Sequence, residues 1–507
     1  MQNSFAKDTI TVSLFNALGV VSSFAIDVGI ASVFGLGRVT DAFFVAATIP
    51  LLAYIIFNRI SELTLVPIFV RWQTEMVEEQ WQLFSSLLWL AFGSLSCLVL
   101  VSAFLAEPLF YAIAPGLDTV SSELANHLGT IMLLSVPLSA VVAISRARLN
   151  AARAFSQSAS SNFLRNIVVL IFLTLTVLAQ WNIDKIAVGY LAAGLVQMLV
   201  LFFFLRQLGF RLSFNLLLTH TEIRSTVNTV LFPLFSFAVN QSNEIVERFL
   251  ASFLVAGSLS ALVFARRLIG TIVNIFLNSI TSVIIPSLSR LSVKQDRLAM
   301  QHVLAQGVKI IFLLTTPMTV LLLVLNQPVI RILFLHGSVV EEGTALISKI
   351  LVLYVLGLPF LGLNQLLVAP HYALGDTKTP AIHLLLMIIV QIGLDMVLFW
   401  WLGVWGIPIA MSLTAVISVL RALWLLKQKN LSVLDMQLFA IAGKLLVASV
   451  GMGLTNYLIY SQWIIKLPAA NLWSQLIVTI LSVVCGSIVL FVVAKALNLK
   501  PTEFTVA

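Results

Sequence analysis

Apolar runs of roughly 20 residues, the length that spans a bilayer core, alternate along this chain with short polar breaks. They fall near residues 10–35, 41–70, 82–106, 124–145, 161–181, 186–206, 226–254, 258–289, 304–325, 344–372, 380–402, 404–427, 437–461 and 472–496. The pattern predicts an all-α polytopic membrane protein with about fourteen transmembrane helices. An even number of crossings leaves both termini on one side.

The runs also repeat. Residues 31–50 read ASVFGLGRVTDAFFVAATIP and lead to LVPIFVR, ending at Arg71. Residues 251–270 read ASFLVAGSLSALVFARRLIG and lead to VIIPSLSR, ending at Arg290. Both stretches open on Ala-Ser and a Gly-containing break, and both close as Pro-x-x-x-Arg, at Pro67/Arg71 and Pro286/Arg290. Self-similarity at an offset of about 220 residues marks a duplicated unit. The copies are spans 1–2 and spans 7–8, which predicts two six-helix repeats in parallel orientation, related by an axis along the membrane normal. The expected lobes are residues 1–220 (spans 1–6) and 221–430 (spans 7–12). Residues 431–507 add spans 13–14 and a tail as an appendage.

Composition agrees with a membrane setting. Of 507 residues, 60% are hydrophobic and 10% charged, with a mean hydropathy of +1.05, where a soluble chain carries roughly 25% charge. A net charge of +8 does not point to nucleic acid here, because the basic residues cluster between apolar runs. Loops after even-numbered spans hold Arg71; Arg146, Arg148, Arg153 and Arg165; Arg206, Arg211 and Arg224; Arg290, Lys294, Arg297 and Lys309; Lys378; Lys427 and Lys429. The opposite loops hold mainly Arg38, Lys185, Arg331 and Lys466. The positive-inside rule then places both termini in the cytoplasm of a bacterial inner membrane. The run from Ile10 is too long for a signal-peptide core and carries Asn16, Ser23 and Asp27, so it reads as the first span. Cys97 and Cys485 lie within apolar runs and offer neither a disulfide framework nor metal-ligand spacing.

Charged and amide side chains inside the runs are costly in hydrocarbon and are functional candidates by default. Helical spacing shows which share a face. Span 1 carries Asn16, Ser23 and Asp27, and span 2 carries Arg59 and Glu62 one turn apart. Span 7 sets Asn240, Glu244 and Glu247 at i, i+4, i+7, beside Arg248. Span 8 carries Arg267, Thr271, Asn274 and Asn278, and span 11 carries Gln391 and Asp395. Each could simply tie helices together. Their concentration in spans 1, 2, 7 and 8 predicts a polar cavity for a hydrophilic cargo or head group. No phosphate-binding loop, nucleophile elbow or zinc motif occurs. The protein reads as a transporter rather than an enzyme, with no cofactor. Transport without an ATP site would draw on an ion gradient or the cargo's own. His371 and His383 flank a short loop and are expected at the membrane interface.

Several segments carry a family resemblance: TDAFFVA (residues 40–46), LVPIF (65–69), FLASFLVAGSLSAL (249–262), ARRL (265–268), PSLSR (286–290) and YALGDTKTP (372–380). Together they resemble the MurJ/MviN family, the lipid II flippases of the multidrug/oligosaccharidyl-lipid/polysaccharide exporter superfamily. The resemblance covers most of the chain. It implies a two-lobed cavity, alternating access and outward movement of an undecaprenyl-pyrophosphate-linked saccharide. Its partners would be that substrate, membrane lipids and enzymes of envelope glycan biosynthesis. The family's first span reads like S-R-x-x-G-x-x-R-D, whereas residues 19–27 here are GVVSSFAID. Asp27 is kept, and the arginines are Val20 and Ile26. The family's arginine pair in span 2 falls on Tyr54 and Ile55, and its glutamate falls on Arg59. Asp41 and Arg267 are retained.

The polar stripes and the resemblance together give as expected substrate-binding residues Arg267, Arg59, Asp27, Asp41, Arg266, Asn274, Asn278, Asn16 and Glu62, of which the resemblance itself supplies Asp27, Asp41 and Arg267. Arg59 and Arg267 would clamp the pyrophosphate through charge-assisted hydrogen bonds; Arg266 lies about 100° around the helix from Arg267. Gln391 and Asp395 match a family pair associated with sodium. With Glu244 or Glu247 they would supply Na+ or H+ coupling. The functional readings are a flippase for lipid II or a related envelope glycan unit, a cation-coupled exporter of small drugs in the same superfamily, or a non-transporting envelope scaffold. The topology is testable directly. A cysteine at Gly375, in a loop assigned to the cytoplasm, should resist an impermeant thiol reagent added to intact cells, and labelling there would overturn the assignment.

Overall fold

The computed structural model describes residues 2–431, 433, 436–464 and 472–499. Every regular element among them is a helix. Twelve helical stretches are long and apolar enough to cross a membrane. The chain packs as two compact units, Met1–Ser260 and Ala261–Ala507. That division follows packing rather than internal repetition, so it is of a different kind from the 220/221 repeat boundary.

The first unit holds α1 (Gln2–Phe34), α2 (Arg38–Ile60), α3 (Val66–Glu75), α4 (Gln80–Phe104), α5 (Ala106–Ile113), α6 (Thr119–Leu133), α7 (Ser135–Ala151), α8 (Phe155–Leu178), α9 (Asp184–Gln207), α10 (Thr221–Asn240) and α11 (Ser242–Ala251). Its centre is α7, buried at nearly every position from Val136 to Ala151 and packed by α2, α3, α4 and α9. Within a bilayer the drive for such packing is dispersion and close approach, since lipid is as apolar as leucine. Gly29 shows this: a Cβ there would overlap the side chain of Leu173, so glycine lets α1 lie against α8. At one end an aromatic cluster locks α3, α4 and the segment after α9. There Phe84 meets Phe69 at 5.6 Å and Phe210 at 5.2 Å, both edge-on. The start of α10 is fastened to that end. Glu222 accepts from Arg71 and from the Trp72 indole at 3.1 Å, and His220 lies 3.5 Å from Glu79.

Between α2 and α3 the backbone forms a π-helical turn, Ser61–Leu65. Pro67 follows at once, in the first turn of α3. Proline cannot donate to the carbonyl four residues back, here Leu63, and its ring pushes that carbonyl aside. The helix accommodates this by widening one turn, which inserts a residue into the helical register. A second π turn, Val273–Leu277, follows α12 (Ser258–Ile272), and no proline adjoins it.

The second unit continues with α13 (Asn278–Val293), α14 (Arg297–Val324), α15 (Asn326–Phe334), α16 (Glu341–Val355), α17 (Leu358–Ala373), α18 (Lys378–Leu402), α19 (Gly406–Gln428), α20 (Met436–Ile464) and α21 (Leu472–Ala496). Leucine and isoleucine side chains of α13, α14 and α17 form its core, among them Ile284, Leu288, Leu304, Ile311 and Leu366. The α20–α21 hairpin, expected as an appendage, packs on α14 and α15. Gly453 sits against Val320, and a Cβ on Gly486 would strike Asn456. The hairpin thus packs within the second unit.

The expected spans 380–402 and 404–427 are the helices α18 and α19, which follow each other in one apolar stretch of 51 residues, Lys378–Gln428, that turns at Gly403 with φ 59. Gly406 then passes so close to the Leu398 carbonyl that no side chain fits. Residues 226–254 are divided between α10 and α11, which break at Gln241. Neither α10 nor α11 is among the twelve stretches, because the break at Gln241 leaves α11 with 10 residues and polar residues such as Glu222 and Arg224 dilute the apolar sequence of α10. His371 and His383 are buried at 2% and 3% exposure rather than interfacial. His383 accepts from Arg421 at 2.9 Å and lies within 3.1 Å of Asn364 and 3.0 Å of Ser418. That network satisfies the ring inside a helical bundle.

The turn after α17 explains much of the YALGDTKTP motif. Gly375 takes φ 76, so a labelling cysteine there is strained, and exposed Thr377 is the better carrier. Asp376 caps α18 by accepting from the Thr379 amide at 3.0 Å and hydroxyl at 2.8 Å, and it pairs with Lys429 at 3.0 Å. The Thr379 amide first, then Lys429 and the Thr379 hydroxyl, hold this carboxyl well below the usual carboxylate range. A depressed carboxylate stabilises the fold above its unfolded pKa and loses that contribution as pH falls. Asp376→Asn keeps an acceptor for the Thr379 amide but loses the charge that faces Lys429 and the helix N-terminus, so it should lower the thermal midpoint of the purified protein at pH 7 slightly, by about 0.5 kcal/mol. The gap to wild type should narrow below about pH 4. An identical gap at pH 3 and pH 7 would exclude the charged cap.

Candidate functional site

The first unit holds an open cavity of about 540 Å³ whose walls come from α1, α2, the first π turn, α7, α8 and the break between α10 and α11. Polar side chains reach it from every wall: Asn16, Tyr54, Asn58, Arg59, Glu62, Arg146, Asn162 and Gln241. Three of the residues expected at a binding site, Asn16, Arg59 and Glu62, therefore converge on one space. Arg59 and Glu62 do not pair with each other. The π turn carries Glu62 towards α7, where it lies 3.6 Å from Arg146, and Asn58 accepts a second bond from the same guanidinium. Arg59 is exposed and has no ion-pair or hydrogen-bond partner among the described residues.

Arg146 and Arg148 are not loop residues. The helix α7 continues to Ala151, and the two arginines are 9% and 4% exposed. They lie about 200° apart around the helix. Arg146 faces the cavity, while Arg148 turns away to Gln80 at 2.7 Å and the face of Trp81 at 4.3 Å. Each buried guanidinium thus has an acceptor for part of its donor set, while Arg146 Nε and one terminal nitrogen of Arg148 are buried without one among the described residues. The signal for Arg146 was present in the sequence: no glycine or proline breaks the helical pattern between residues 138 and 151. Asn58 and Asn162 were missed for a different reason. A single amide in an apolar run has many structural uses, and only the fold shows where it points.

The remaining candidates fall elsewhere. Asp27 is buried at 5% and does not line the cavity. Glu244 pairs with Arg248 at 3.2 Å, and Glu247 is buried beside it on α11. Arg266 and Arg267 are half-buried on α12, and Thr271 spends its hydroxyl on the Arg267 carbonyl at 2.9 Å. The expected Arg267/Thr271/Asn274/Asn278 stripe is interrupted, because Asn274 lies inside the second π turn. One inserted residue rotates everything beyond it by about 100°. The side chain of Asn278 lies outside the described residues. Gln391 is half-buried and Asp395 fully buried on α18.

Asp41 is 3% exposed and has both oxygens engaged. They accept from the backbone amides of Gly257 at 2.6 Å and Ser260 at 2.8 Å. A carboxylate meeting unsatisfied amides is favourable both as a cap and against the helix dipole. Gly257, at φ 90, packs against the Leu36 carbonyl, and Ser252 accepts from the Gly116 amide at 3.0 Å. Asp41 therefore holds the α11–α12 connection onto the start of α2. Asp41→Ala strands two buried donors, at a cost of about 2 kcal/mol. It should lower the thermal midpoint of the purified protein by several degrees, whereas Glu342→Ala, at an exposed carboxylate in the first turn of α16, should change it little. Equal effects would remove this role.

Comparison with known proteins places the geometry. The family model described as "Lipid II flippase MurJ" matches residues 30–472. A protein of Bdellovibrio bacteriovorus named "Probable lipid II flippase MurJ" is 28% identical over 426 residues, covering 82% of this chain and 80% of its own. One of Vibrio cholerae with the same name is 26% identical, covering 82% and 81%. Among solved structures, "Lipid II flippase MurJ, inward closed conformation" superposes with a TM-score of 0.79 at 24% identity, over 97% of this chain and all of the other. An inward-facing multidrug resistance MATE family transporter of the MOP superfamily reaches a TM-score of 0.69 at 12% identity, over 83% of this chain. The last two likenesses concern the fold. With the family model matched over most of its length, the chain belongs to the lipid II flippase MurJ family.

Proposed function

We propose that this protein moves lipid II, a polyprenyl-diphosphate-linked saccharide, from the inner to the outer leaflet of the bacterial cytoplasmic membrane. The observation that carries the reading is the polar cavity, with Arg59 exposed in it and Arg146 held at its wall. A cavity lined by amides and guanidinium groups inside an apolar bundle suits a head group of phosphates and sugars, since amides satisfy hydroxyls and arginines satisfy phosphate oxygens. The polyprenyl tail would stay in lipid. A small-drug exporter would need a more apolar lining, and a scaffold would need no cavity.

Three further elements belong to the same reading. Both termini lie in the cytoplasm, following the distribution of arginine and lysine. The two parallel repeats alternate access to the head group. Gln391 and Asp395 of α18, with an acidic side chain of α11, couple the cycle to Na+ or H+. Asp395 fits that role because a fully buried carboxylate responds strongly to a bound cation.

The test is lipid II translocation in vesicles holding the purified full chain, read by accessibility of a labelled head group. Wild type should flip lipid II. Arg59→Ala and Arg146→Ala should each lower the rate by about tenfold or more, the value of a charged hydrogen bond. Asp395→Asn should abolish the ion dependence at normal protein levels. Wild-type vesicles without translocation under any ion gradient would refute the reading.

A further inference from the structure

A third arginine lies next to the cavity without entering it. Arg165 sits ten residues into α8, about 15 Å along the helix from its start at Phe155. It was expected at a loop. Its guanidinium stacks 4.2 Å from the centroid of the Tyr54 ring and 5.7 Å from that of Tyr190. No carboxylate or hydrogen-bond acceptor engages it among the described residues. It lines a separate cleft of about 10 Å³, room for a single water, whose walls contain no acidic residue. Tyr54 lines both the cleft and the cavity, so its ring is the partition between them. The ring is held in place, because its hydroxyl donates to Asn162 at 2.8 Å and Gln197 donates to the same oxygen at 2.9 Å.

A half-buried cation without a counter-ion projects its field into whatever polar space adjoins it. With the guanidinium 4.2 Å from the ring and a ligand in van der Waals contact on the other side, the separation is about 8 Å. At an effective dielectric near 20, one added negative charge at about 8 Å gains on the order of ten- to thirtyfold in affinity. Arg59 and Arg146 would meet any single phosphate by contact. The field through Tyr54 acts on the total charge and so separates ligands by how many phosphates they carry.

We propose that Arg165, acting through the Tyr54 partition, is a positioning residue that makes the cavity prefer a diphosphate-linked lipid over a monophosphate-linked one. This rests on the cavity being the head-group site, and the experiment separates the two claims. Binding of radiolabelled polyprenyl diphosphate and polyprenyl monophosphate is measured on the purified full chain, with a thermal melt of each variant as a folding control. Wild type should bind the diphosphate about tenfold more tightly. Arg165→Gln should weaken the monophosphate by about tenfold and the diphosphate by about tenfold more than that, so that most of the preference is lost. Arg165→Lys, which keeps the charge, should retain the preference. If Arg165→Gln keeps the wild-type preference, or weakens both ligands equally, the inference fails and the cavity reading stands. If wild type binds neither lipid, both fail.

Discussion

A guanidinium placed within a membrane-spanning helix must find water, a partner or an anion, because hydrocarbon offers none and the cost is several kcal/mol. Much of the first unit is arranged around that requirement. Arg146 rises from α7, the most buried helix of the unit, and is met by Glu62 and Asn58 from the adjoining turn. Arg148 takes the opposite side and finds Gln80 and Trp81. Satisfying these two leaves an opening lined with amides, and Arg59 stands in it. The cavity is therefore what remains when charged side chains on packed helices are given partners.

Irregular backbone does the aiming. Without the π turn at Ser61–Leu65, Arg59 and Glu62 would lie on one helical face and neutralise each other. The extra residue turns Glu62 towards α7 and leaves Arg59 exposed. A comparable turn interrupts the repeated helix of the second unit at Val273–Leu277. Wide turns inside helices often mark functional positions, and here both fall on the polar helices of the internal repeat.

Hydropathy made the helices legible because bilayer thickness imposes one length on them. It was less informative where polar residues interrupt a helix. The α10–α11 pair carries Glu244, Glu247 and Arg248 and fell below the apolarity of a simple span. The positive-inside reading set Arg146, Arg148 and Arg165 in loops. Counting charges does not reveal that α7 runs on to Ala151 or that α8 begins at Phe155. Asn16, Arg59 and Glu62, which line the cavity, were visible as candidates because each is costly where it stands. The partners of Glu62 and Tyr54 were not, since they depend on which helices touch. Tyr54 shows this most clearly: the position the family resemblance assigns to an arginine holds an aromatic ring, and a cation from α8 lies over it.

The contact between Asp41 and the α11–α12 connection has an unusual hereditary property. Asp41 bonds to backbone amides 216 and 219 residues away, and a backbone amide has no side chain to mutate. Gly257 is constrained by its own left-handed φ, and the Ser260 amide would serve whatever side chain it bore, although the Ser260 hydroxyl also reaches Asp41. Most of this long-range contact is therefore written in a single codon, that of Asp41. Correlated substitution would carry little trace of it, and a genetic search for second-site compensation has little to find beyond the Ser260 hydroxyl. Methods that infer proximity from co-varying residues would pass over one of the firmest tethers in the first unit.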